Sequence, residues 1–299
     1  PSLYMKTMNV HSPHSSMKHF DRVHIIMPIH NVPYDSFKRA IQSVMRQSFR
    51  KWRLTIIESE ESVALSSVRK EYATDASIED SRIVYKVQKR PGVSAARNEA
   101  IAEENTPLIA FLDGDDWWEP QYLEIMAGSA FAKPNTDMFF CRAVYQNIVV
   151  SQITGANDVH ILPFEEYEDI EYVHEDLMHY YFMTTPVYPS GLVVRREAME
   201  QVGNFDETLN RVEDVDLLMK LTMPDFETGI ARKILYLPYD LMFRDMSKED
   251  TKVPAWNTPE EFQDILVSRY PLPWPHSKPE HISEIEWSCI LDLTANLRS

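Results

Sequence analysis

The fold is constrained most by Val23 to Ile29 (VHIIMPI), an apolar segment with no clean alternation of apolar and polar residues. A strand that faces water on one side alternates. A strand covered on both faces reads as a near-continuous apolar run, the mark of a parallel sheet with helices above and below. The theme repeats along the chain. Phe37, Ile41, Val44 and Met45 recur at helical spacing, and Trp52 to Ile57 forms a second apolar strand. Ile83 to Val87 makes a third strand, Val93 to Ala102 a helix, and Leu108 to Leu112 a fourth strand that runs straight into Asp113. Strands alternating with helices imply an α/β fold on a doubly wound, mostly parallel sheet flanked by helices.

Ligands of such sheets sit outside the carboxyl ends of the strands. The candidates are therefore His30-Asn31 after the first strand, Glu58-Ser59-Glu60-Glu61 after the second and Asp113 to Asp116 after the fourth. Beyond Glu119 the regularity falls, although Met138 to Val150 and Gly191 to Val194 still read as strands. Residues 1–20, rich in Ser, His and Met, read as a mobile arm. Residues 249–299 read as a Pro-rich and helical C-terminal extension, with Ile282, Ile285, Ile290, Leu293 and Leu297 near helical spacing.

Composition excludes several classes. The 299 residues carry a formal charge of -16, which opposes wrapping a polyphosphate backbone, so no nucleic-acid partner is expected. Charges or prolines interrupt every apolar run before the roughly 20 residues that a spanning helix needs. Cys141 and Cys289, the only two cysteines, each sit among apolar residues and read as reduced thiols of a cytoplasmic protein.

Three motifs carry chemistry. In Phe111-Leu112-Asp113-Gly114-Asp115-Asp116-Trp117, crowded carboxylates raise one another's pKa unless solvent or a cation offsets the repulsion. Mg²⁺ or Mn²⁺ bridging to a diphosphate supplies that offset, and a solvated acidic turn is the equal alternative. In Arg90 to Asn98, Arg97 lies about one turn into a helix begun by Gly92 and Ser94, within reach of an anion at the strand ends. Val212 to Leu218 opens a helix whose acids either stabilise its first turn or offer a general base.

Taken in order, these motifs resemble the family 2 inverting glycosyltransferases of the GT-A fold, over roughly residues 23–247. The matching landmarks begin with Pro28 and Asn31, Gln47-Ser48-Phe49, Gly92 to Asn98 and Phe111 to Asp116. They continue with Val194-Arg195-Arg196-Glu197, Val202 to Glu207 and Glu213 to Leu217. The resemblance implies a domain over 21–248, with 21–120 binding the nucleotide-sugar and 121–248 the acceptor. It implies that Asp113 and Asp115 hold Mn²⁺ or Mg²⁺ and the donor, that Arg97 lies by the diphosphate, and that Asp214 is the catalytic base. Pro28, Asn31, Glu58, Gly114 and Arg244 complete the expected donor site, and Trp117, Tyr188 and Glu213 the acceptor side.

Two departures stand out. The family's Asp-Asp-Gly-Ser-like turn, whose first Asp recognises uracil, here reads Glu58-Ser59-Glu60-Glu61-Ser62, so Glu58 is the expected uridine acceptor. A His that often accompanies the late Arg is absent from Arg244-Asp245-Met246-Ser247. The expected acceptor is a glycan or a lipid-linked sugar in polysaccharide biosynthesis. The C-terminal segment is expected to dock on the body, with homodimer pairing or peripheral contact at the inner face of the membrane as the alternatives. A nucleotidyltransferase would need a Gly-rich loop after the first strand, where His30-Asn31-Val32-Pro33 has no Gly. A binding module that had lost activity would not need Asp113, Asp115 and Asp214 together.

Overall fold

A computed structural model of the protein describes residues 22–65, 67–146, 170–172, 188–209, 213–222 and 232–245. The arm over 1–20 and the extension over 249–299 lie outside the described residues, as do Cys289 and residues 147–150 of the expected strand.

Strand β1 (Val23–Ile29) lies between β2 (Trp52–Glu58) and β4 (Leu108–Phe111), parallel to both, and β3 (Ile83–Val87) extends the parallel block beyond β2. The lack of alternation in β1 has the expected cause. Ile25, Met27 and Ile29 point to one buried layer with Phe37, Ile41 and Ala73, while Ile26 points to another with Ala96, Ala100 and Phe111. Helices α1 (Tyr34–Met45) and α3 (Ser67–Glu79) supply the first layer, and α4 (Val93–Ile101) belongs to the second. The short α2 (Glu60–Leu65) leads into α3. Helix α3 escaped the sequence reading because its buried apolar residues are only Ala73 and Ala76.

The second half turns the sheet mixed. After β5 (Trp117–Trp118) and α5 (Tyr122–Ala132) come β6 (Met138–Gln146), β7 (Ile170–Tyr172), a 3-10 turn (Pro189–Gly191), β8 (Leu192–Arg195), α6 (Arg196–Gln201), α7 (Glu213–Thr222) and β9 (Ile234–Asp245). The strand order is β3-β2-β1-β4-β8-β6-β9-β5, with β7 also on β9. Strand β8 runs antiparallel to β4 and β6, β5 and β7 run antiparallel to β9, and β6 and β9 are parallel. The doubly wound α/β class thus holds, with a parallel first half and antiparallel insertions in the second.

The matched motifs turn out to be joints. Gln47 accepts the Leu123 N–H at 2.8 Å and donates to the Glu119 carbonyl at 2.8 Å, tying the end of α1 to the chain after the acidic turn. Arg195 donates to the carbonyls of Ala130, Lys133 and Thr136, and Arg196 to those of Ile101 and Thr106. Each guanidinium satisfies carbonyls at a helix C-terminus, where positive charge is favoured.

Candidate active site

Strand β4 delivers Asp113 to the carboxyl edge of the sheet, and the turn after it is pressed onto the end of β1. A Cβ on Gly114 would stand 2.2 Å from Ile29 Cδ1 and 3.3 Å from Val32 Cγ2, so a side chain there would require Ile29 to shift. The turn closes with the Asp116 N–H donating to the Asp113 carbonyl at 3.1 Å. Its three acids then divide. Asp116 is 1% exposed and accepts the Ser190 hydroxyl at 2.7 Å, whereas the carboxylates of Asp113 and Asp115 remain partly open to solvent.

Helix α4 starts at Gly92, whose φ of 96° lies in the left-handed region that favours glycine. The small Ala95 and Ala96 let the helix settle on the sheet, and Arg97 rises from it into a buried position, 3% exposed. Its Nη2 donates to Asp113 Oδ1 at 3.1 Å and its Nη1 to Glu213 Oε1 at 2.9 Å. Burial alone would lower the guanidinium pKa, and the carboxylates of Asp113, Glu213 and Asp214 outweigh it and leave the net shift upward. Arg97 therefore stays charged and bridges the acidic turn to the first turn of α7. Asn98 steadies the chain that leads toward α7, accepting from the Phe205 N–H at 3.1 Å and donating to the Phe205 carbonyl and to Glu207 at 2.9 Å each.

Asp214 sits on that first turn of α7. Burial, followed by the neighbouring Glu213 carboxylate, raises its pKa to about 6, against the pull of Arg97 and the Val215 N–H, which donates to Oδ1 at 2.8 Å. A carboxyl tuned to this range is a competent base near neutral pH. Asp216 is 1% exposed and pairs with Lys220 at 2.7 Å, a structural pair one turn apart.

At the ends of β1 and β2 the arrangement differs from the sequence expectation. Glu58 is fully buried: Oε1 accepts from the Ser62 hydroxyl at 2.7 Å and Arg69 Nε at 3.1 Å, and Oε2 from the Tyr85 hydroxyl at 2.9 Å. Arg69 also reaches the Val32 and Ser62 carbonyls, so the network locks the loops after the two strands together. Burial, then the bond to Glu58, raises the Tyr85 phenol. The polar groups at the surface here are His30, Asn31, Glu60 and Glu61, with His30 Nδ1 at 2.8 Å from Ser59 Oγ and Asn31 held at a φ of 50°. Pro28 is half-buried in β1.

Trp117 and Tyr188, both assigned to the acceptor side, form a second cluster along β9, whereas Glu213 stands with Arg97. Trp117 stacks on Phe243 at 5.5 Å with planes 10° apart, and the Arg39 guanidinium lies 3.8 Å from the Trp117 ring centre. Arg244, next along β9, lies 3.8 Å over the ring of Tyr188. Ser190 joins the two clusters, and no reading of the sequence singled it out. Its only sequence signal is a hydroxyl between Pro189 and Gly191 before a short strand.

The donor set suits one kind of ion. Among the described residues no group of three or more His, Cys, Asp or Glu is disposed to hold a metal. Mg²⁺ and Mn²⁺ are commonly held by one or two carboxylates with substrate phosphates and water completing the shell, so the outward faces of Asp113 and Asp115 fit such an ion together with a diphosphate.

The chain is similar to known proteins in sequence and in fold. The sequence pattern of Glycosyl transferase family 2 matches residues 24–203. A glycosyltransferase of Methanocaldococcus jannaschii is 24% identical over 225 residues, covering 75% of this chain and 72% of that one. The Escherichia coli UDP-Glc:alpha-D-GlcNAc-diphosphoundecaprenol beta-1,3-glucosyltransferase WfgD is 32% identical over 104 residues, 34% of this chain and 38% of its own. Glycosyltransferase GlyA of Streptococcus pneumoniae matches at 28% over 36% of this chain, which spans only 14% of that relative. The crystal structure of S. aureus TarS 1-349 in complex with UDP-GlcNAc superposes with a TM-score of 0.56 at 16% identity, over 82% of this chain and 64% of that one. At that identity the likeness shows the GT-A type of fold.

Proposed function

The chain belongs to glycosyl transferase family 2, and on that premise we propose that it transfers a sugar from a nucleotide-sugar, uridine-linked, to a hydroxyl of a glycan or lipid-linked acceptor, with inversion at the anomeric carbon. One observation carries the reading: Arg97 bridges Asp113 of the acidic turn and Glu213, the neighbour of Asp214. A donor-binding group and a base are thereby held in one rigid constellation.

Asp214 accepts the acceptor hydroxyl's proton as the acceptor oxygen bonds to the anomeric carbon and the bond from that carbon to the diphosphate oxygen breaks. With a pKa of about 6 it is about nine-tenths ionised at pH 7. Asp113 and Asp115 would hold a Mn²⁺ or Mg²⁺ ion, which would supply Lewis-acid stabilisation of the charge on the departing diphosphate. Arg97 keeps the base-bearing turn of α7 at a fixed reach from Asp113 and adds positive charge on the same side. His30 and Asn31 face the nucleobase, and Glu58 acts from beneath by fixing their loop. Trp117, Tyr188 and Glu213 line the acceptor side, and Arg244 belongs to the donor side.

The lipid-linked alternative is supported by the diphosphoundecaprenol in the name of the E. coli relative. No helix of the described residues is long and apolar enough to cross a membrane. Incubation of the protein with a panel of nucleotide-sugars and Mn²⁺ tests the reading. Slow UDP release from one UDP-sugar is expected, and pyrophosphate exchange, or no turnover of any donor with or without acceptor glycans, would refute it.

A further inference from the structure

We propose that Ser190 is a positioning residue for the donor end of the site, one buried hydroxyl that sets how Asp113 and Asp115 are presented to a divalent cation and a nucleoside diphosphate. The inference rests on the reading that the acidic turn binds the donor.

The turn leaves β4 at Asp113 and rejoins the sheet at Trp117, and Ser190 grips it at both ends. The Asp113 N–H donates to Ser190 Oγ at 3.0 Å, and the Ser190 hydroxyl donates to Asp116 Oδ2 at 2.7 Å. A hydroxyl has one proton, and here the carboxylate takes it while the lone pair takes the amide. The Ser190 carbonyl also accepts the Trp118 indole N–H at 2.6 Å, which fixes the serine against β5. Ser190 is 0% and Asp116 1% exposed, so bulk water does not replace these bonds. Asp115 lies between the two gripped residues in the chain.

Loss of the hydroxyl would take its acceptor from the part-buried Asp113 amide and the Ser190 donor from the buried Asp116 carboxylate, where an unsatisfied group is costly. Relaxation of the turn is the expected response, and it displaces Asp113 and Asp115. Ser190 itself touches neither donor nor acceptor. The same short turn carries Tyr188 under Arg244, so it also sets the spacing between the donor turn and the second cluster.

The test uses the full chain, UDP and Mn²⁺ in calorimetry, with amide exchange at Asp113 as a readout independent of any ligand. Ser190→Ala is expected to melt cooperatively, to exchange the Asp113 amide faster and to lose about tenfold in Mn²⁺-dependent UDP affinity. Combining it with Asp116→Ala should cost little more than Ser190→Ala alone, since the two residues act through one bond. A folded Ser190→Ala protein with UDP affinity within about twofold of the parent, or a double variant whose losses multiply, overturns the inference. If Ser190→Ala does not fold, Asp116→Ala alone decides: weakened Mn²⁺-dependent UDP binding supports the inference and unchanged binding overturns it. Asp115→Asn separates the premises. If it loses binding while Ser190→Ala keeps it, only this inference fails; if it keeps full binding, the donor reading fails and takes this inference with it.

Discussion

The pH dependence of transfer follows from the surroundings of Asp214. Burial and the adjacent Glu213 carboxylate hold its pKa at about 6, with Arg97 and the Val215 N–H pulling the other way. A base must be ionised to accept a proton, so activity is present above that pKa and is lost as the pH falls through it. The profile of kcat/KM against pH at subsaturating donor reports the free enzyme. It should show an acid limb near pH 6 that steepens to about tenfold per unit below it. The sign of a perturbation is also fixed. Glu213→Gln removes the negative charge that raises Asp214, so the limb should move to lower pH, each unit of movement corresponding to about 1.36 kcal/mol. Arg97→Gln removes the opposing positive charge and should move it to higher pH, with a further loss of rate because the bridge to Asp113 is gone. A limb that stays in place in both variants, or that moves up in Glu213→Gln, would show that Asp214 is not the group whose ionisation limits transfer.

Two other perturbations probe the scaffold. Gly114→Ala drives a methyl to 2.2 Å from Ile29 Cδ1 and should cost about 1–3 kcal/mol in urea unfolding; adding Ile29→Val, which deletes that atom, should recover part of the loss, whereas strictly additive costs would contradict the packing. His24 is fully buried against Thr55, and burial, then Arg196 and Arg53, lower its pKa to about 3. Its neutral form therefore contributes stability that is complete above the unfolded value near 6.5 and is lost as the pH falls toward 3, at up to about 1.4 kcal/mol per pH unit. His24→Leu should flatten that part of the stability curve, and an unchanged slope would count against the assignment.

How far the sequence carried depended on whether a feature is local. The β1, β2 and β4 segments were legible because burial on both faces leaves a continuous apolar run, visible without any partner. The acidic turn and the first turn of α7 were legible for a related reason, since each presents its carboxylates in one short run. Their meeting through Arg97 was not, because Arg97 and Glu213 are 116 positions apart. The sealing of Glu58 was equally hidden: its partners come from α3 and β3, and an Arg and a Tyr in those elements look like ordinary surface residues. Ser190 shows the limit most clearly, with its bonds reaching back 77 and 74 positions to Asp113 and Asp116 from a turn with no repeat or period of its own. The mixed second half went unread beyond its β6 and β8 strands because β5 is two residues long and β9 is interrupted by register shifts against β6.

The central claim is that Asp214 takes the proton while the acidic turn holds the donor. Asp214→Asn preserves size and the ability to accept the Val215 N–H but cannot act as the base, so its transfer rate and its Mn²⁺-dependent UDP affinity should separate. The account predicts loss of transfer by about 10²-fold or more with UDP affinity near that of the parent. An Asp214→Asn protein that transfers sugar at the parent rate would contradict it.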